Sequence, residues 1–119
     1  MEKPSILVVD DEANIRGTVT RWFEIRGFEV HEAENGLAAV ALCGARTFDV
    51  ITMDLEMPGM GGLDAILAIR KLGLQSPILV VTGMPGDTRH ALAAGATRIL
   101  TKPLRLSELE LEVRRILAI

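Results

Sequence analysis

The sequence predicts an α/β protein, a doubly wound parallel sheet of five strands with helices on both faces. Four short runs are almost wholly apolar: Ile6–Val9, Val50–Met53, Ile78–Val81 and the weaker Ile99–Leu100. Parallel strands buried on both faces read this way. Between the runs the apolar period becomes helical. The two patterns alternate through five β-α units, and units of this length imply right-handed crossovers onto one parallel sheet.

The elements follow in order. After the first strand, Ile15, Val19, Trp22 and Phe23 share one helix face, and Gly27 ends that helix. Phe28-Glu29-Val30-His31 alternates, which suits a half-exposed edge strand. Asn35 is placed to cap a second helix carrying Leu37, Val40 and Ala41. A third runs from about Leu63 to Leu72, with Leu63, Ile66, Leu67 and Ile69 inward or partly so, and Gly73 stops it. Asp87 is placed to cap a short fourth helix that ends before Gly95. Ser107 and Glu110 form an S-x-x-E capping box for the fifth, whose buried face is Leu109, Val113, Ile116 and Leu117.

The bulk numbers bound the function. At 119 residues, with 49% hydrophobic and 24% charged, the chain suits a single globular domain over 1–119. No linker, repeat or further effector domain is expected within it. A net charge of −3 argues against direct nucleic-acid binding. Cys43 is the one cysteine, so no internal disulfide forms, which fits a reducing, cytoplasmic setting. No run approaches the ~20 apolar residues that span a bilayer, so no membrane association is expected.

In sheets of this kind ligands bind beyond the carboxyl ends of the strands. Asp10-Asp11-Glu12 follows the first apolar run, Asp54 the third strand, Thr82-Gly83 the fourth and Thr101-Lys102-Pro103 the fifth. Singly, each has a bland explanation: Asp11 as a helix cap, Asp54 as a turn residue, Thr82 as a loop hydroxyl, Lys102 as solvated surface. Jointly they bring three carboxylates, a hydroxyl and an ammonium to one edge. Three ionised carboxylates repel unless a cation sits among them. Mg²⁺ suits the set, since it needs few carboxylates, keeps its waters and accepts phosphoryl oxygens. Lys102 supplies a point charge for the same anion, Thr82 a donor, and Gly83 leaves room. Phosphoryl transfer to a carboxylate nucleophile needs little more.

The chain resembles, from end to end, the receiver domain of two-component response regulators. The resemblance is carried by Val9-Asp10-Asp11-Glu12, Met53-Asp54-Leu55-Glu56-Met57-Pro58-Gly59-Met60-Gly61-Gly62, Val81-Thr82-Gly83, Gly95-Ala96 and Thr101-Lys102-Pro103. It implies a flavodoxin-like (βα)5 fold with strand order 2-1-3-4-5. It implies Asp54 as phosphoacceptor, Mg²⁺ on Asp10, Asp11, Asp54 and the backbone carbonyl of Glu56, Lys102 on the phosphoryl oxygens and Thr82 as the switch hydroxyl. A cis Lys102–Pro103 bond is also implied. The implied partner is a phosphohistidine on a sensor histidine kinase or phosphotransfer protein. It would dock on Asn14, Ile15, Thr18, Pro103 and Leu104. The implied output and homodimer face is the fourth helix, fifth strand and fifth helix. Such a domain is not a turnover enzyme; it catalyses only its own phosphorylation and dephosphorylation.

Two features are particular to this chain. Receivers usually carry an aromatic residue three positions before the lysine; here that position is Ile99, and the chain has no tyrosine. Glu56 and Met84 hold positions that commonly tune hydrolysis, and Met84 is expected to shield an acyl phosphate from water. His31 and His90 are expected at the surface, and Cys43 as a small packed hydrophobe. Three rival functions compete with this reading. An aspartyl phosphatase needs a D-x-D pattern after the first strand, where this chain has Asp-Asp-Glu. A flavin module needs aromatics, which are 3% here. A phosphorylation-independent scaffold stays in play through Ile99.

Overall fold

The computed structural model describes residues 2–83, 86 and 88–119. The expected Asp87 cap and the position of Met84 lie outside the described residues. In chain order the elements are β1 (Ser5–Val9), α1 (Ala13–Ile25), β2 (Glu29–Ala33), α2 (Gly36–Ala45), β3 (Val50–Asp54), α3 (Gly62–Lys71), β4 (Ile78–Thr82), α4 (Thr88–Ala94), β5 (Arg98–Thr101) and α5 (Leu106–Leu117). All four strand pairings are parallel, in the order β2-β1-β3-β4-β5. Each apolar run of the sequence is a strand.

Strand alternation divides the core into two layers. Leu7, Val9, Ile51, Met53, Ile78 and Val80 point toward α2, α3 and α4, where they meet Ala39, Cys43, Ala65, Ile66 and Ile69. Ile6, Val8, Val50 and Leu79 point the other way, onto Phe23, Phe28, Leu109 and Val113 from the α1 and α5 side. Both faces of the inner strands are buried, which is why these strands read as continuous hydrophobic runs. β5 is the exception: as the far edge strand, its Ile99 and Leu100 are only half-buried.

One expected face, that of α2, differs. In α2, Leu37 is 65% exposed, and Ala41 is exposed too; the buried residues are Gly36, Ala39 and Cys43. This helix is apolar on nearly every side, so periodicity could not choose its face. The expected faces of α3 and α1 hold, with Ile66, Ile69 and Phe23 buried; Leu67 is 46% exposed, and Ile15, also an expected docking residue, 41%. Asn35 does cap α2, its Oδ1 accepting the Ala38 N–H at 2.8 Å.

The capping box does not form. α5 starts at Leu106 with Arg105 at its N-cap, which places Ser107 inside the helix. Glu110 has better partners than a helix terminus. Its Oε1 accepts from Trp22 Nε1 at 2.9 Å and pairs with Arg26 at 2.6 Å, while Oε2 pairs with Arg114 at 2.9 Å. Burial works against this carboxylate, yet Arg114, Trp22 and Arg26 together hold its pKa below the usual carboxylate range. The cluster seams α1 to α5.

A second tie has no signal in the sequence. The Arg70 guanidinium, at the end of α3, donates to the carbonyls of Leu74, Ser76 and Gly95 at 2.8–3.1 Å. It thereby joins the α3–β4 loop to the α4–β5 turn, where Gly95 sits at φ +120° with the Arg70 side chain against it.

Candidate functional site

The β2-β1-β3 order puts the carboxyl ends of β1 and β3 side by side, where an open sheet leaves its crevice. Pairing of Val9 with Met53 brings the residues after them together. Asp10 follows β1 with its N–H on Ala33 O at 3.2 Å, and its Oδ1 accepts the Glu12 N–H at 2.8 Å. Glu12, not Asp11, is the N-cap residue of α1, and its side chain makes no capping bond.

Asp54 ends β3, 5% exposed. Its Oδ1 accepts the Glu56 N–H at 3.0 Å and its Oδ2 accepts Lys102 Nζ at 3.2 Å. One oxygen each from Asp10, Asp11 and Asp54 lies within 4.8 Å of the others. The three expected carboxylates therefore meet, with Asp10 and Asp54 buried and Asp11 exposed.

The basic and hydroxyl partners arrive by strand register. Lys102 N–H bonds Thr82 O at 2.8 Å, continuing the β4–β5 ladder past Thr101. The Lys102–Pro103 bond is cis, as the resemblance implied. Thr82 is fully buried at the end of β4. Its Oγ1 lies 3.5 Å from Glu56 Oε1, and the Gly83 N–H donates to the same oxygen at 3.1 Å.

Burial pushes the Asp10 carboxyl above its ordinary pKa; the Glu12 N–H and Lys102 pull it back, and Asp54 and Asp11 push it further up. Lys102 also moves up: burial works against its ammonium, but Asp54, with Asp10 and Glu56 behind it, outweighs that. An acid whose folded-state pKa is raised binds protons more readily in the fold than in the open chain. Stability therefore falls as pH rises from the ordinary carboxylate range through the raised value.

It follows that Asp10→Asn should raise the melting temperature of the metal-free protein at neutral pH. A gain of roughly 3–5 °C is expected, what about 1 kcal/mol yields in a domain of this size. The gain should vanish below the ordinary carboxylate range, where the parent's Asp10 is protonated in both states. Scanning calorimetry at several pH values checks this; a variant no more stable than the parent at neutral pH would contradict it.

Beside the carboxylates an apolar cavity of about 530 Å³ opens between α1 and the β5–α5 segment. Ile15, Val19, Leu104, Leu106 and Leu109 line it, together with Asp10, Asp54 and Lys102. Of the expected docking residues, Asn14, Ile15, Thr18 and Pro103 are exposed and Leu104 is half-buried. His31 stands apart, bonded to Glu29 and Arg46; His90 is exposed on α4; Cys43 is buried. The reach of the Glu56 side chain to β4 had no signal in the sequence beyond its position two residues after Asp54.

The chain matches the family model of the response regulator receiver domain over residues 6–114. Regulatory protein AtoC of Escherichia coli is 38% identical over 114 residues, covering 94% of this chain and 25% of AtoC, so the chain spans about a quarter of that relative's length. Among solved structures, chemotaxis protein CheY4 of Vibrio cholerae superposes with a TM-score of 0.90 at 33% identity, over 96% of this chain and 98% of that one. TrrA of Thermotoga maritima, solved in complex with Mg²⁺-BeF, gives a TM-score of 0.86 at 31% identity, over 95% and 98%. The five parallel strands in order 2-1-3-4-5 and the acidic cluster at their carboxyl edge agree with these matches. The chain belongs to the response regulator receiver domain family and is a signalling module of the two-component phosphorelay.

Proposed function

We propose that Asp54 accepts the phosphoryl group. A carboxylate oxygen of Asp54 attacks the phosphorus of a phosphohistidine, the P–N bond breaks, and the departing imidazole takes up a proton. The product is an acyl phosphate on Asp54. The observation that carries this reading is the pairing of a buried carboxylate with Lys102 at 3.2 Å, beside two further carboxylates.

The donor set is all oxygen, and three carboxylates share one small space with the Lys102 ammonium. That fits a hard divalent ion. Asp10, Asp11, Asp54 and the backbone carbonyl of Glu56 would hold Mg²⁺, which when bound neutralises charge on phosphoryl oxygens. Lys102 provides a cation for the transferred group, and Thr82 and Gly83 offer donors at the end of β4. Receiver domains take their phosphoryl group from histidine kinases or phosphotransfer proteins. Here the donor docks on Asn14, Ile15, Thr18, Pro103 and Leu104; Ile15, Pro103 and Leu104 line the cavity that also reaches Asp54 and Lys102.

The output face is α4-β5-α5, which also offers a homodimer surface, and the setting is cytoplasmic. Among the described residues no helix is long and apolar enough to cross a membrane. Ile99, half-buried on β5 and packed on the α2–α4 side of the sheet, takes the place of the usual aromatic in the readout. It signals by repacking, with no hydroxyl to present.

The test is intact mass after incubation with acetyl phosphate and Mg²⁺. One adduct of ~80 Da, absent without Mg²⁺ and absent from Asp54→Ala, is expected. If the parent takes up no adduct and beryllofluoride with Mg²⁺ leaves its melting temperature unchanged, the phosphorylation-independent scaffold is the better reading.

A further inference from the structure

We propose that the Glu56 carboxylate is an internal stand-in for a phosphoryl oxygen: it holds the donor pair of Thr82 and Gly83 in the resting state and must leave before Asp54 can carry a phosphoryl group. This rests on the reading of Asp54 as phosphoacceptor.

Glu56 is anchored at its main chain, where its N–H donates to Asp54 Oδ1 at 3.0 Å. From that anchor the exposed side chain crosses to the end of β4. There one oxygen, Oε1, lies 3.1 Å from the Gly83 nitrogen and 3.5 Å from Thr82 Oγ1. The Gly83 N–H thus bonds this anionic oxygen, and the Thr82 hydroxyl lies at the outer limit of hydrogen-bond reach from it. A Cβ added at Gly83 would lie 3.3 Å from that same oxygen, so the carboxylate fills the space that the glycine leaves.

A carboxylate oxygen and a phosphoryl oxygen accept the same donors and carry charge of the same sign. A phosphoryl group on Asp54 brings such oxygens beside Thr82. Two anions on one donor pair repel, so the pair serves one at a time. Glu56 thereby raises the free energy of the phosphorylated state against the resting state. The carboxylate is a positioning group that works through Thr82 and Gly83; only the Glu56 main chain touches Asp54.

Reach separates this from simple negative charge. Glu56→Asp keeps the charge and shortens the arm by one methylene; Glu56→Ala removes both. The measurement is the apparent dissociation constant of beryllofluoride at saturating Mg²⁺, by thermal shift. Both variants should bind about tenfold tighter than the parent, the low end of what one charge-assisted hydrogen bond is worth.

In the unliganded protein, the amide proton of Gly83 should also move upfield in both variants. If Glu56→Asp binds like the parent and only Glu56→Ala binds tighter, charge alone acts and the proposal is overturned. So would unchanged or weaker binding in both variants overturn it, or a Gly83 amide that stays put. If the parent itself ignores beryllofluoride, the Asp54 reading fails and takes this proposal with it. If the parent binds and Asp54→Ala does not, that reading stands whatever Glu56 does.

Discussion

Lys102→Ala should slow uptake of a phosphoryl group from acetyl phosphate by at least about 100-fold, the loss that follows removal of one preorganised charge-stabilising group. Lys102 Nζ lies on Asp54 Oδ2, and its raised pKa keeps it charged through neutral pH and above. The parent therefore meets the incoming anion with a fixed cation, at no cost in reorganisation at the moment of transfer. The variant leaves three carboxylates facing that anion.

The fold should survive. Lys102 is 33% exposed at its side chain and belongs to neither layer of the core. Rates of adduct formation by intact mass, with a melting curve beside them, check both halves. A rate within about threefold of the parent would show that Lys102 does not act on the transferred group. Lys102→Arg is expected to recover only part of the loss, because a planar fork does not replace a compact ammonium.

Gly62→Val is the second large effect, and it is on stability. α3 begins by lying directly on the backbone at the end of β3. A Cβ at Gly62 would meet Asp54 O at 2.5 Å, Leu55 Cα at 2.7 Å and Leu55 Cδ2 at 2.9 Å. Two of these are main-chain atoms of Asp54 and the residue after it, so no rotamer relieves the clash. Either α3 lifts or β3 bends, and both open the layer that Ala65, Ile66 and Ile69 bury.

Overpacking of this kind costs typically 1–3 kcal/mol and sometimes more. With backbone on one side, about 3 kcal/mol is expected, read as a lower urea midpoint. Gly44→Ala is the matched control with the opposite sign. Its added Cβ meets nothing within 4 Å inside α2, so it should stabilise by roughly 0.5–1 kcal/mol. Equal effects at the two sites would refute the close-approach explanation.

How much of this was legible in the sequence depended on how local the cause was. The strands inside the sheet announced themselves because burial on both faces leaves almost no polar residue in the run. The carboxylates, Thr82 and Lys102 were legible because each stands at the end of such a run, and parallel register aligns those ends. The face of α2 was not legible: Leu37, Ala38, Ala39, Val40 and Ala41 give no polar side to choose against. What decided it was the close approach of Gly36 to Met60, whose carbonyl oxygen would lie 2.5 Å from an added Cβ.

The capping box at Ser107 and Glu110 failed for a non-local reason as well. Trp22 and Arg26, far away in the chain on α1, compete for the Glu110 carboxylate. Arg70 reads as an ordinary basic residue near a helix end until Gly95 is seen beneath it. The Glu56 side chain is the same kind of case: its partners belong to another strand, and a spacing pattern does not record them.

The seam between α1 and α5 gives the protein an optical address. Trp22 is its one tryptophan, and there is no tyrosine. The indole N–H donates to Glu110, and the Arg26 guanidinium stacks 3.6 Å above the ring centroid. Trp22 stands near the carboxyl end of α1, whereas the acidic site lies at that helix's amino end. Ultraviolet emission from this chain therefore comes from the joint between the two helices, not from the acidic site. A quantum-yield change on beryllofluoride binding would record motion carried the length of α1, or through α5, to a carboxylate contact, with no dye or label added.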